Sequence, residues 1–193
     1  MIGRLPLVPT LLVLAAVGVM IALGFWQIER LHEKEALLAR YQAAASSGAD
    51  AAWPHDLTKA DGILYRRTRV LCVEVTSLSS IAGRNAGGEA GLSQSANCRL
   101  ANGGEALVIL GWSREPSTPD WRGGKVTGIV APGPRIVADP PLAGLEANAR
   151  PDPSEIPNNH LSYAVQWFLF AATALVIYVL ALRKRLADKP GQG

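Results

Sequence analysis

Two stretches of the chain carry no charge at all. The first runs for 24 residues from Leu5 to Ile28, the second for 22 residues from Leu161 to Leu182. A helix of about 20 apolar residues crosses the ~30 Å hydrocarbon layer of a bilayer, so each stretch is long enough to span one. The pattern between them is different. Glu29, Arg30, Glu33, Lys34, Glu35 and Arg40 mix both signs at helical spacing, and Ser46-Ser47-Gly48 ends the helix. Beyond that point the chain shows short apolar runs separated by Gly and Pro, which predicts strands and turns. Ile63–Thr76, Glu105–Trp112, Lys125–Ala131 and Arg135–Ala138 read as strands. Asn102-Gly103-Gly104 and Pro132-Gly133-Pro134 read as turns. Trp53–Gly62 reads as a loop, and so does the glycine-rich stretch Ser77–Asn97, apart from a short strand pairing near Leu92. Asp139–Pro157 reads as an irregular return.

The expected fold is a membrane protein: two transmembrane α-helices flank a small, mostly-β outer domain, sandwich or barrel-like. The expected divisions are residues 1–4 as a cytoplasmic N-terminus, 5–28 as the first transmembrane helix and 29–45 as its helical extension. Residues 46–159 form the β-rich domain, 160–182 the second transmembrane helix and 183–193 a basic cytoplasmic tail. Ala15, Gly18 and Ala22 make a small-residue stripe on the first span, and Ala164, Ala171 and Ala174 a comparable one on the second. Small stripes let membrane helices approach closely, so these faces are expected to pack.

Composition sharpens the picture only through its distribution. Of 193 residues, 49% are hydrophobic and 18% charged, with a net charge of +3. Tyr41–Asn159 holds 11 cationic and 12 anionic residues, a net of −1, whereas the segment after Leu182 holds four cations against Asp188, a net of +3. The excess therefore sits beside a span, where it sets orientation rather than binding nucleic acid. Arg183-Lys184-Arg185 places the C-terminus in the cytoplasm. With two spans the N-terminus joins it, and the middle domain faces the periplasm of a bacterium or the intermembrane space of a mitochondrion. A cleaved signal peptide is the competing reading of the first run. Signal cores usually run 7–15 residues, and Ala22-Leu23-Gly24 is a poor cleavage site, so an uncleaved anchor fits better.

Residues able to carry chemistry are few. There are three histidines, His32, His55 and His160, and two cysteines, Cys72 and Cys98, with no C-x-x-C. No nucleophile elbow, zinc-protease helix or phosphate loop occurs. The expectation is that the protein is no enzyme. The densest cluster is Pro157-Asn158-Asn159-His160-Leu161-Ser162-Tyr163-Ala164-Val165-Gln166-Trp167-Phe168, at the outer end of the second span. Aromatic belts with a polar cap are common at that depth, but polar residues there also mark function. Gly24-Phe25-Trp26-Gln27-Ile28-Glu29-Arg30 ends the first span, and the topology brings Trp26, Gln27 and Arg30 to the depth of His160 and Tyr163. An imidazole, two Trp and an Arg at a membrane edge suit a flat, apolar, anionic ligand. Haem is one: imidazole ligates iron, aromatics cover the ring, and Arg pairs propionates.

At these residues the sequence resembles the Surfeit-locus family of cytochrome c oxidase assembly factors, which includes the yeast Shy-type proteins. Asn158-Asn159-His160-Leu161-Ser162-Tyr163-Ala164-Val165-Gln166-Trp167-Phe168 is similar to the family signature, and Leu23-Gly24-Phe25-Trp26-Gln27-Ile28-Glu29-Arg30-Leu31 resembles its L-G-x-W-Q-x-x-R-L. Tyr65-Arg66-Arg67-Thr68-Arg69-Val70 and Gly111-Trp112 match more weakly. The middle departs from the family pattern at Leu110, at Cys72 and at Ser95-Ala96-Asn97-Cys98.

The resemblance implies a factor that matures the haem-copper oxidase, binding haem a and assisting its delivery to the catalytic subunit. It implies His160 as ligand to the haem iron, and the shared depth of the two clusters makes Trp26, Gln27, Arg30, Tyr163 and Trp167 its expected surroundings. The partners it implies are the catalytic subunit of cytochrome c oxidase, haem a synthase as a further candidate, and membrane lipid; no nucleic acid is expected. A ligand-free scaffold for oxidase subunits is the alternative, and a thiol-based redox enzyme a remote third. Cys72 and Cys98 both depart from the family pattern in an oxidising compartment, which suggests a disulfide; two separate buried thiols remain the alternative.

The orientation has a direct test. A reporter fused after Ala101 should be active only in its periplasmic form. Activity solely in the cytoplasmic form would reverse the topology.

Overall fold

The computed structural model describes residues 6–187. The expected N-terminal segment 1–4 and the last six residues of the basic tail lie outside the described residues. The chain divides into two units. One is helical, made of residues up to Leu37 and from Pro157 onward; the other is Leu38–Ile156.

In the helical unit, helices α1 (Leu7–Ser46) and α2 (His160–Ala187) are each long and apolar enough to cross a membrane. Little of their apolar surface is covered by protein: Leu7 is 72% exposed, Leu11 66% and Leu169 59%. Exposure of that extent over whole helices is costly in water and favourable in lipid. Pro6 stands just ahead of α1, where a missing N–H costs nothing, and Thr10 bonds back to its carbonyl. Lys184 and Arg185 lie in the last turn of α2, favourably placed at the negative end of the helix dipole.

The second unit is built on five strands: β1 (Arg67–Arg84), β2 (Ala90–Leu100), β3 (Glu105–Ser113), β4 (Gly124–Ala131) and β5 (Arg135–Ala138). They close into a barrel in the order β1-β2-β3-β5-β4, antiparallel except for the β3–β5 pair. Of the two expected β architectures the barrel is the one formed. Closure removes the open edges that a five-stranded sheet would otherwise present. Leu100, Val108, Leu110, Val126, Val130 and Ile136 fill the interior, and Tyr41 from the end of α1 leans on Tyr65 at 5.0 Å between ring centroids.

Two local expectations are corrected. Ser77–Asn97 is not a loop: it forms the long hairpin of β1 and β2, paired from Cys72 to Ala90. Gly87 and Gly88 do form its turn, Gly88 with a φ of 84°, but Gly83 and Gly91 lie inside the strands. Gly83 and Gly91 face each other in register, and a side chain at either would collide, at Gly83 with Ser93 and at Gly91 with the indole of Trp112. Glycine inside a strand thus marks close approach of neighbouring groups. The buried polar residues there are paired: Gln94 accepts from Ser80 and donates to Ser113, and Ser95 meets Ser79. At the hairpin turn, the Asn85 side chain accepts from the amides of Gly87 and Glu89. Asn85 also donates to the Glu89 carboxylate, and with Arg114 holds that carboxyl below the usual range.

The strand expected from Ile63 starts four residues late. Leu57–Ile63 is a 3₁₀ helix capped by Asp56, whose carboxylate accepts from the Thr58 amide, and Tyr65 has a positive φ of 64° that breaks extended backbone. The return segment carries no strand, as expected, yet it is pinned. Glu146 exchanges both backbone bonds with Trp112, and Ala149 donates to Arg84.

Cys72 and Cys98 form a disulfide between β1 and β2, with Cα atoms 5.4 Å apart and both residues buried. The crosslink spans 26 positions, which in the chain-entropy model contributes about 3 kcal/mol. Labelling of unreduced, denatured protein should find no free thiol. Cys72→Ala with Cys98→Ala should lower barrel stability by about that amount. Two labelled thiols would refute the bond.

Candidate functional site

The two helices of the helical unit run antiparallel and touch along one line of residues. On α1 the line is Thr10, Val17 and Gly24; on α2 it is Ala164, Ala171 and Tyr178. Val17, Gly24, Ala164 and Ala171 are buried, and the Thr10 and Tyr178 hydroxyls share a hydrogen bond. Both lines step by seven residues, the repeat that keeps two helices in contact along a left-handed seam. The expected stripe Ala15, Gly18 and Ala22 is not this seam. All three are exposed, and nothing stands near Gly18. Counting small side chains picked the wrong face of α1, because the true seam mixes Thr, Val and Gly. On α2 two of the three expected alanines, Ala164 and Ala171, do lie in the contact, while Ala174 is half-buried.

At Gly24 a ring of α2 comes up against the α1 backbone. A Cβ there would sit 2.6 Å from the Phe168 ring. That ring is itself held edge-on by Phe25, with centroids 5.4 Å apart. The absent side chain is what lets the ring lie against the α1 backbone.

One turn beyond Gly24 is Gln27; one turn before Ala164 is His160. The seam therefore sets these two opposite each other, and His160 Nδ1 lies 2.7 Å from Gln27 Oε1. Both residues are half-buried. Residues 133 positions apart in sequence are joined by this single contact. Among the described residues no hydrogen bond reaches Nε2 of His160. Asn158, two residues ahead, has a buried Oδ1 without a partner. Sequence reading placed Asn158 in the motif but gave it no role.

The remaining candidates surround this pair without bonding to it. Trp26 and Tyr163 are exposed at 51% and 50%, so their faces are open. Trp167 is half-buried and packs edge-on against Phe170 at 6.1 Å. Arg30 is exposed and ion-paired with Glu33 on its own helix. His32, on the extension of α1, is also exposed. Among the described residues no group of three His, Cys, Asp or Glu converges on a metal position. A single imidazole with a free nitrogen, beside open aromatic faces, is nevertheless a donor set that fits one axial position of a haem.

A family model, described as the SURF1 family, matches residues 14–172. The chain belongs to the SURF1 family. The match covers far more than half of the chain and takes in both motif clusters as well as the barrel. Membership assigns the chain to cytochrome oxidase assembly, in a family of assembly factors rather than a known class of enzyme. No curated protein matches the chain.

The seam makes a quantitative forecast. Gly24→Ala should cost about 1–3 kcal/mol through overpacking, read as thermal stability in detergent. Phe168→Ala combined with it should cost less than the sum of the two, because the same ring carries both effects. Simple additivity would show that the Gly24–Phe168 contact does not set the helix spacing.

Proposed function

We propose that this SURF1-family protein is an integral protein of the bacterial inner membrane that binds haem a and hands it to the catalytic subunit of cytochrome c oxidase. Both termini are cytoplasmic and the barrel is periplasmic in this reading, which rests on the two charge-free runs and on Arg183-Lys184-Arg185. The observation that carries the haem assignment is the His160–Gln27 contact, because it joins the two motif clusters at one point of the helical unit.

In this reading His160 would ligate the iron, and Trp26, Tyr163 and Trp167 would supply the aromatic surroundings of the ring. Gln27 lies behind the ligand. Haem a is cargo: its iron and formyl-bearing ring act in the oxidase, and the long hydrocarbon tail calls for a site at the bilayer edge. Arg30 is the candidate partner for a propionate, and to serve it must exchange Glu33 for that group. Haem a synthase is the natural donor of the cargo and the oxidase catalytic subunit its acceptor. The engagement of Arg30 by Glu33 is the observation on the side of the second reading, a ligand-free scaffold for oxidase subunits.

His160→Ala separates the readings. The ligand reading expects protein at normal level in the membrane with haem absorbance lost or shifted. A purely structural histidine predicts less protein, with an unaltered spectrum in what remains. Arg30→Ala should weaken haem retention less than His160→Ala, since propionates near water need no single partner.

A further inference from the structure

Resting on the reading of His160 as iron ligand, we propose that Gln27 is a positioning residue: it holds His160 in the tautomer protonated at Nδ1 and so makes Nε2 the ligating atom. The contact is between Nδ1 and the amide oxygen of Gln27 at 2.7 Å. An amide oxygen only accepts, so Nδ1 carries the hydrogen and donates it. A neutral imidazole has one N–H, and Nε2 is left with its lone pair. No other described group bonds to Nε2, so nothing competes for that lone pair.

The arrangement has a second consequence. Metal-bound histidines usually donate their remaining N–H to a carboxylate or carbonyl, which fixes the ring and raises its basicity. Here the acceptor comes from the other helix. Its position is set by the seam, since Gln27 follows the closely packed Gly24 by one turn. The free rotation of His160 at the first residue of α2 is thereby restricted by a group 133 positions away. Arg30, one turn further along α1, is engaged by Glu33 and does not draw the side chain at position 27 away.

The opposite amide orientation has the opposite effect. If the Gln27 NH₂ donated to Nδ1, the proton would sit on Nε2 and mask the lone pair. Two substitutions tell these apart. A glutamate at this position can only accept from Nδ1–H; a leucine does neither.

The test uses the full chain, purified in detergent from cells that make haem a. The readouts are haem a per protein, the iron–histidine stretch in ferrous resonance Raman spectra, and the midpoint potential, with helix content as the check on folding. Gln27→Glu should keep haem near the wild-type level, raise the iron–histidine frequency and lower the potential, because a carboxylate strengthens the donor. Gln27→Leu should remain helical and bind haem a about 10–100-fold more weakly. Wild-type affinity, Raman band and potential in both variants would overturn the proposal. So would a glutamate variant that loses haem as fully as the leucine variant, since an acceptor at this position would then not be what sustains ligation through Nε2. His160→Ala, measured alongside, keeps the two claims distinct. Loss of its haem signal with unaffected Gln27 variants removes only the positioning role. A wild-type spectrum in His160→Ala removes the ligand reading itself.

Discussion

The contact of the Phe168 ring with the backbone at Gly24 is what the geometry of the helical unit depends on. In lipid, two helices gain little from burying apolar side chains against each other, because the tails are as apolar as leucine. What remains is shape. One glycine removes the obstacle, one ring fills the space, and small or slender residues at Val17, Ala164 and Ala171 continue the fit. Everything polar in the site follows from the register that this fit imposes. Without it, Gln27 and His160 would have no reason to meet, since each alone would be satisfied by interfacial water.

The barrel solves a different problem with similar means. Its β1–β2 hairpin is rich in small polar residues beyond Thr76. It is held by hydroxyl and amide pairs, by the Cys72–Cys98 bond, and by glycines that let Ser93 and Trp112 sit close to the neighbouring strand. Buried polar groups are tolerable only when matched, and Gln94 shows how: one end accepts while the other donates.

These two settings explain what could be read from sequence. The helices were legible because lipid demands a run of uncharged residues of fixed length, whatever their order. The strands Glu105–Ser113 and Gly124–Ala131 were legible because their interior is filled by branched apolar side chains. Arg67–Thr76 of β1 was legible as part of an apolar run, but Ser77–Asn97 of the hairpin was not, because Ser, Gly, Asn and Gln usually signal loops and their bonding partners here lie on the neighbouring strand. The seam was missed for a related reason. Small residues are only one way of allowing close approach, and Thr10 and Val17 do it by shape and by a shared hydroxyl bond. His160 and Gln27 stood out as residue types in motifs, but nothing in one-dimensional order states that Nδ1 of one faces the oxygen of the other.

The seven-residue step of the seam makes the helical unit behave like a reading frame. Each residue added to an α-helix turns everything beyond it by about 100°. One extra residue between Gly24 and Gln27 would swing Gln27 away from α2 while leaving the span long enough to cross the membrane. Seven extra residues would bring it back to the same side, but about 10 Å further along the axis. The position of Gln27 is thus encoded twice, once as an angle and once as a height. Only a chain that keeps both counts between the glycine and the glutamine can bring the amide to the imidazole.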